Sequence, residues 1–435
     1  MPDLKELATR VFLESLRAIE PGSKIKEKLR IDANILSVNG ESIVLDRYLE
    51  VVLIGMGKAS MKMGAAVEGL LEERIKRGIL VTNHRFEIDV RSEVVVAGHP
   101  LPDAESLRAG EQIVRLVQSC SGDSLIIFLI SGGGSALVEL PLSGEISLED
   151  LRTTNQALIS CGASIHEINI VRKCLSKIKG GRLGYLARKS TSVGLYVSDV
   201  NPGDIRSIAS NPLLSEGSAG EAFFNVVDKY ELMERLPSSV VRTIGQENLF
   251  RFAGEQGDKD LLAVLLMDNS DALQAAAEVA SKLGFHVEVD SDLIEGNYES
   301  VADVSIKRLL NLRSRAGGPV CIISGGEVSC PVRASGLGGR NQEFVLYSAA
   351  RLAHLGLGEA AAVLSCGTDG IDGNSPAAGA VADGNSTARA ARLGEDASTY
   401  IRANDSYTFF KKMGGLVVTG PTGNNVRDVR VLMAR

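Results

Sequence analysis

The chain has 435 residues, 44% of them hydrophobic and 23% charged, with a net charge of -7. This length allows two or three domains with sizeable buried cores, and the composition is that of an ordinary globular protein. The acidic balance argues against a nucleic-acid binder, and 4% aromatics with no Trp argue against stacking platforms for single strands.

Residues 1–17 read as an amphipathic, charged helix and not as the basic and apolar parts of a secretory leader. Apolar runs such as Leu125–Ile130 are far too short to span a bilayer. The six cysteines form no Cys-x-x-Cys pair and no ligand-like spacing with the five histidines. They read as buried, reduced thiols of a cytoplasmic protein.

The run Tyr48–Leu53 predicts a buried strand, and GMGKAS (55–60) follows it at the start of a helical pattern. Gly55 and Gly57 allow close backbone approach, and a helix N-terminus favours an anion. A third dinucleotide-type glycine would fall at Ser60. The next strand, Gly78–Thr82, ends in Asn83, His84 and Arg85 where an acidic ribose ligand belongs, although Arg85 would suit an NADP phosphate. The spacing GxxxxGK[ST] is absent. On spacing alone Lys58 reads either as a solvent-facing residue of a tight turn or as an anion ligand.

The strand-like run LIIFLI (125–130) leads into SGGGS. Three consecutive glycines cost conformational entropy that a bare turn rarely needs. Gly132, Gly133 and Gly134 are read as a concave nest of N–H groups for an anion, with the Ser131 and Ser135 hydroxyls as extra donors. Ser147–Cys161 predicts a helix capped by Ser147 with Asp150 three residues on, and Ile165–Ile178 predicts another. Arg172, Lys173, Lys177, Lys179 and Arg182 read equally as a solvated helix end and as a phosphate-facing cluster. Val193–Val197 then leads into SDVNPGD, which carries Asp199 and Asp204.

Residues 236–260 lack a sustained period and mark a domain boundary, set at 245/246. LLAVLLM, a helix over Asp271–Leu283 and GFHVEVD begin a fresh strand–helix–strand unit. VCII (320–323) leads into SGGE, a loose echo of the earlier SGGG. In GLGGRNQEF (336–344), Gly338 and Gly339 precede Arg340, a fork suited to carboxylate or phosphate, with Glu327 and Glu343 to hold it or to bind metal. Asp369 and Asp372 follow the strand at Ala361–Leu364. Carboxylates in such loops bind Mg2+, accept a hydroxyl proton or simply cap turns. The alternation predicts an α/β fold of two domains with largely parallel sheets. The residues alone reach an α/β enzyme acting on an anionic substrate, with a nucleotide and Mg2+.

GMGKAS, GHPLPDAESLRAG (98–110), SGGGSALVELP, GASIHEINIVRKCLSKIKGGRLG (162–184), SDVNPGD, SGGE, GLGGRNQE, GTDGIDG and NDSY with GPTGNNV (404–426) occur in this order over nearly the whole chain. They resemble the class II glycerate kinases, the glycerate 2-kinase family whose C-terminal part is the MOFRL domain. The resemblance implies a larger Rossmann-like N-terminal domain (1–245) and a smaller C-terminal α/β domain (246–435, core about 315–430), with the site in the cleft between them. It implies ATP-dependent phosphorylation of D-glycerate at its 2-hydroxyl to give 2-phosphoglycerate. The alternative is an NAD(P)H-dependent hydroxypyruvate reductase.

The family's active-site lysine and arginine fall on Lys58 and Arg340. Asp199 and Asp369 are the further catalytic candidates and the candidate Mg2+ ligands. Gly55, Gly57, Ser131, Gly132, Gly133, Gly134, Ser135, Glu327, Gly338, Gly339 and Asn341 are the expected substrate or phosphate contacts. Small-molecule partners are implied, without nucleic acid or membrane, and a homodimer is permitted. One departure is Asn211 where the family has glycine; asparagine tolerates left-handed backbone, so the turn is expected to survive.

Overall fold

Strands form where aliphatic and β-branched residues run together, and they stop where glycine follows. The computed structural model describes residues 3–201, 203–214, 219–245, 261–290 and 294–435. The chain divides into two units, Pro21–Leu266 and Met1–Glu20 with Met267–Arg435.

In the unit Pro21–Leu266, β1 (Leu29–Asp32), β2 (Ile35–Val38) and β3 (Glu41–Val44) form an antiparallel meander. The main sheet holds β4 (Glu50–Met56), β5 (Ile75–Thr82), β6 (Glu93–Val96), β7 (Ser124–Ile130), β8 (Thr191–Val197) and β9 (Leu261–Met267), in the order β6-β5-β4-β7-β8-β9. The pairs from β6 through to β8 are parallel. Every residue of β7 is buried, as its unbroken apolar run requires. The strand order reverses direction at β4 and β7, the place where open parallel sheets part their loops and bind ligands. The loops after β4, β7 and β8 therefore leave one sheet edge side by side.

A second core in this unit gathers Leu158, Val171, Phe223 and Val227 from the helices Leu148–Ser160, Ile165–Cys174 and Ala219–Lys229. Ser147 caps the first of these in a reciprocal box with Asp150, as expected. The second helix stops at Cys174 and not at Ile178. Lys177 N–H donates to the Leu140 carbonyl and Leu142 N–H to the Leu175 carbonyl, both at 2.8 Å, which draws this backbone out of the helix.

The other unit holds β10 (His286–Asp290), β11 (Gly296–Asn297), β12 (Val320–Ser324), β13 (Val328–Ser329), β14 (Ala361–Gly367), β15 (Gly379–Asp383), β16 (Leu416–Val417) and β17 (Asp428–Ala434). Its six-stranded sheet runs β10-β12-β17-β14-β15-β16, and β11 pairs separately with β13. Within the large sheet only β10 and β12 are parallel; the other pairs are antiparallel. The expectation of a largely parallel sheet thus holds in the first unit and not in this one. An unbroken apolar run reports burial on both faces, and β14, buried at every residue, carries that signature within antiparallel pairings.

The unit boundary also differs from 245/246. Residues 246–260, which follow that boundary, lie outside the described ones, and β9 beyond them is an edge strand of the first sheet. The helix Leu4–Ala18 belongs with the later residues: Leu4, Ala8, Val11 and Phe12 are buried, and it packs on the helix Asn269–Lys282, β14 and β17. Its apolar stripe shows that one face must be covered but not by which sheet. Among the described residues no helix is long and apolar enough to cross a membrane.

Candidate active site

After β4 the chain turns at Gly57, with φ 128°. The Gly57 N–H donates to the Val81 carbonyl at 3.1 Å, the Lys58 N–H to the Gly132 carbonyl at 3.0 Å and the Ala59 N–H to Ser131 Oγ at 3.0 Å. A Cβ on Gly57 would stand 2.1 Å from Ser131 Oγ, and one on Gly55 would stand 2.7 Å from Leu80 Cδ2. Gly55, Gly57 and Ser131, expected as phosphate contacts, therefore have roles inside the fold. The N–H groups of Lys58 and Ala59, just before the helix Ser60–Leu71, are used by the Ser131 loop, and the glycines make room for that loop and for Leu80. A dinucleotide turn needs the same N–H groups and the same space for its pyrophosphate.

Lys58 emerges from this turn along the SGGGS loop. A Cβ on Gly133, which has φ 84°, would stand 3.1 Å from His99 Cδ2 and 3.3 Å from Lys58 Cγ. The N–H groups of Gly132 and Gly133 have no acceptor among the described residues, so part of the expected nest keeps its donors. Gly134 is a packing residue instead, since a Cβ there would stand 2.8 Å from Ala209 Cβ. Ser135 Oγ lies 2.6 Å from Ser210 Oγ.

Ser210 belongs to a left-handed run, Ala209, Ser210 and Asn211, with φ of 50°, 57° and 51°. Side chains rarely adopt that conformation, and three in succession hold strain beside the loop. Asn211 locks the run: its Nδ2 donates to the Leu214 carbonyl at 2.7 Å and its Oδ1 accepts from the Leu214 N–H at 2.9 Å. The turn therefore keeps its left-handed form with asparagine in place of glycine.

The basic cluster 172–182 splits by role. Lys177 is exposed, and Lys179 makes a buried ion pair with Glu139. Arg182 Nη1 donates to the carbonyls of Lys173 and Ser176, which makes it a backbone clamp. Arg172 Nε donates to Asn155 Oδ1 at 2.8 Å and lines a pocket of about 160 Å³ with Gly133 and Ser135. Asp199 is half-buried in the loop after β8, at the same sheet edge. Asp204 accepts from the Ser207 hydroxyl and so serves as a turn cap.

In the other unit, the ends of β12 and β14 and the start of β17 share an edge, since Gly367 pairs with Asp428 and Ser324 with Arg430. Arg340 opens the helix Arg340–His354 at this edge. Its Nε donates to Asp428 Oδ2 at 2.7 Å and its Nη2 to Asp428 Oδ1 at 2.9 Å, a bidentate fork, and Nη2 also reaches Glu327 Oε1 at 2.9 Å. Nη1 keeps two N–H donors outside this clamp. Burial opposes the charge on Arg340, but Asp428 and then Glu327 outweigh it and hold its pKa above the ordinary arginine value. A Cβ on Gly367 would stand 3.1 Å from Asp369 Oδ1 and 3.5 Å from Asp428 Oδ1, so the two carboxylates flank that glycine.

The neighbouring predicted residues are structural. Asp372, 2% exposed, accepts from the N–H and side-chain amide of both Asn341 and Gln342, at 2.9 to 3.2 Å. Asn341 Oδ1 also accepts from Ser365 Oγ at 2.5 Å. The expected ligand role of Asn341 is thus corrected to a buried support for the Arg340 helix. Burial pushes Asp372 up to about 6 against these hydrogen bonds. Gly339 leaves room for Asp372 and Gly338 for Ser406, where a Cβ would come within 2.3 Å in each case. Glu343, 1% exposed, does not hold Arg340; its carboxyl lies beside Ser406, and burial pushes it up to about 7 against that neighbour's lowering effect.

Sequence reasoning missed Asp428, Arg430 and Asn269. Arg430 is fully buried and donates to the Gly325 carbonyl and to Ser324 Oγ, so it braces the SGGE turn. Asn269 Oδ1 accepts from the Gly326 N–H at 3.2 Å while its Nδ2 donates to the carbonyls of Val426 at 2.6 Å and Asp428 at 3.1 Å. One buried amide thereby ties together the two segments that clamp Arg340. The available signal was DVRVLMA (428–434), where two charges interrupt an apolar strand that needs them paired.

No group of three or more His, Cys, Asp or Glu side chains that could hold a metal occurs among the described residues. Magnesium is normally held by one or two carboxylates with the phosphates of a substrate, and Asp199 and Asp369, each half-buried in a strand-end loop, fit that mode.

Residues 7–245 match the domain of unknown function DUF4147, and residues 320–428 match the MOFRL family. A protein of Thermotoga maritima named D-glycerate 2-kinase is 34% identical over 98% of this chain and 97% of its own. The chain belongs to the class II glycerate kinase family. A crystal structure of glycerate kinase from the same organism superposes with a TM-score of 0.84 at 32% identity, covering 99% of both chains. Another relative, 38% identical over 92% of each chain, is named putative hydroxypyruvate reductase in Agrobacterium vitis.

Proposed function

We propose that the protein transfers the γ-phosphoryl group of ATP to the 2-hydroxyl of D-glycerate, giving 2-phosphoglycerate and ADP. The observation that carries this reading is the near-full-length likeness to the Thermotoga protein named D-glycerate 2-kinase. The 2-hydroxyl oxygen bonds to the γ-phosphorus, the bond to the bridging oxygen of ADP breaks, and the hydroxyl proton passes to Asp199 or Asp369. Phosphoryl transfer depends on positioning and on charge stabilisation more than on covalent help.

Lys58 and the Nη1 end of Arg340 meet the negative charge of the reacting groups, and the N–H groups of Gly132 and Gly133 add neutral donors. Asp428 and Glu327 fix the plane of the Arg340 guanidinium. Asp199 or Asp369, whichever does not take the proton, would hold Mg2+, which supplies neutralisation of the phosphate oxygens when bound.

The test is to supply ATP, Mg2+ and D-glycerate and to couple the product directly to enolase, which accepts 2-phosphoglycerate and not the 3-isomer. Product that needs a mutase before enolase sinks the regiochemistry, and no product sinks the kinase. The hydroxypyruvate reductase reading has the printed name of the Agrobacterium relative in its favour. Against it, the turn that would admit a pyrophosphate has its Lys58 and Ala59 N–H groups and the space beside Gly57 taken by the Ser131 loop. Oxidation of NADPH by hydroxypyruvate, followed at the nicotinamide absorbance band, separates the two.

A further inference from the structure

We propose that the pocket beside the SGGGS loop binds the carboxylate of a small hydroxy acid, with Arg172 as the fork that holds it. The proposal rests on the kinase reading for the identity of the acid, but the site stands on its own geometry.

The pocket encloses about 160 Å³ between the His99-Pro100 and Gly133–Ala136 segments on one side and the helices Leu148–Ser160 and Ile165–Cys174 on the other. Sites for drug-sized ligands run from roughly 300 Å³ upward, so this volume suits an acid of a few carbons better than a nucleotide. Leu151, Val171 and Leu175 make part of its wall apolar, which strengthens any ionic contact inside.

Three charged side chains line it, Glu139, Lys179 and Arg172. Glu139 and Lys179 are both buried and neutralise each other. Arg172 is left over. Its Nε donates to Asn155 Oδ1 at 2.8 Å, and no carboxylate lies within ion-pair distance of it among the described residues. Burial presses its pKa below the ordinary arginine value, and Glu139 offsets this only in part, so the guanidinium is desolvated without an anion to answer it.

Asn155 fixes the plane of the guanidinium and leaves its two terminal nitrogens free to offer parallel N–H groups, the geometry that matches a carboxylate. The surplus charge in the pocket is one positive unit, which a carboxylate balances and a phosphate dianion exceeds. Ser135 and Gly133 line the same pocket, and Lys58 Cγ lies beside Gly133. An acid held at Arg172 by its carboxylate extends its hydroxyl end toward the loop that Lys58 follows. The positional consequence is selectivity for chain length, since the distance from carboxylate to reacting hydroxyl is set by the pocket.

Arg172→Ala in the full chain should raise KM for D-glycerate by at least about 30-fold, the loss expected when one member of a desolvated charge pair is removed. KM for ATP should change by less than about 3-fold, and Arg172→Lys, which keeps charge but loses the fork, should recover only part of the loss. Calorimetry without nucleotide gives a second arm. D-glycerate and D-lactate should bind the wild type and lose binding in Arg172→Ala, while uncharged glyceraldehyde should bind neither, and inorganic phosphate should not compete. An unchanged KM for D-glycerate, equal binding of glyceraldehyde, or competition by phosphate overturns the proposal. So does a parallel rise in both KM values with a lowered Tm, which marks a structural role. If the wild type turns over no glycerate, the kinase reading fails, and the calorimetric arm still decides whether Arg172 holds a carboxylate.

Discussion

Arg340 sits in a carboxylate clamp, so its removal should cost stability as well as turnover. Lys58→Met should lower turnover by orders of magnitude. Arg340→Ala should lower turnover similarly, but it also strands Asp428, which is fully buried. Breaking such a pair costs about 3–5 kcal/mol, so its denaturation midpoint should fall as well. Near-normal turnover in either variant would remove that residue from the reaction. Glu343 predicts a pH effect of definite sign. Its pKa is raised from 4.5 to about 7 by burial, so the folded state binds a proton that the unfolded state has released. Stability should therefore decline as pH rises from about 4.5 to about 7, by roughly 3 kcal/mol in all. Asp372, raised from 3.8 to about 6, adds a decline of the same sign at lower pH. Glu343→Gln should flatten the upper part of this profile in thermal melts at pH 5 to 8, and an unchanged slope would show that the carboxyl is hydrated in solution.

At the scale of elements, the turn after β4 and the loop after β7 behave as one interlocked piece. Gly57→Ala forces a side chain into a left-handed residue and against Ser131 Oγ, so it should destabilise by several kcal/mol and abolish activity. Ser131→Ala removes only the hydroxyl that receives the Ala59 N–H, and a loss of about 1 kcal/mol is expected, as for other caps. Urea titration of both variants checks the ordering. In the other unit, Asn269→Ala leaves the Gly326 N–H and two carbonyls of the β17 start without their shared partner. The expected cost is about 1–3 kcal/mol per stranded group, and turnover should fall because Glu327 and Asp428 lose their common tie. A stability loss with unchanged kcat would confine Asn269 to a structural role.

At the scale of the whole molecule, the chain begins in one unit, builds the other, and returns. Phe12, in the first helix, is fully buried against the later residues. Phe12→Ala should cost about 3–5 kcal/mol, and amide exchange should localise the loosening to residues 267–435 and not to residues 21–266. The sequence already contained the α/β class and the strand-end position of the glycine loops. Those follow from local signals: apolar runs, helix caps, and glycines placed directly after strands. It could not contain the direction of the second sheet, because burial on both faces leaves the same apolar run in parallel and antiparallel strands. Nor could it separate Gly55 and Gly57, which make room for neighbouring segments, from Gly132 and Gly133, whose N–H groups stay available. That distinction depends on which segment approaches from elsewhere in the chain. The same holds for the basic cluster, where only tertiary contacts made Lys179 an internal partner of Glu139, Arg182 a backbone clamp and Arg172 an unanswered charge in a small pocket. Residue type and spacing fix what a side chain is able to do; its desolvation and its long-range partners, which exist only in the folded chain, decide what it does.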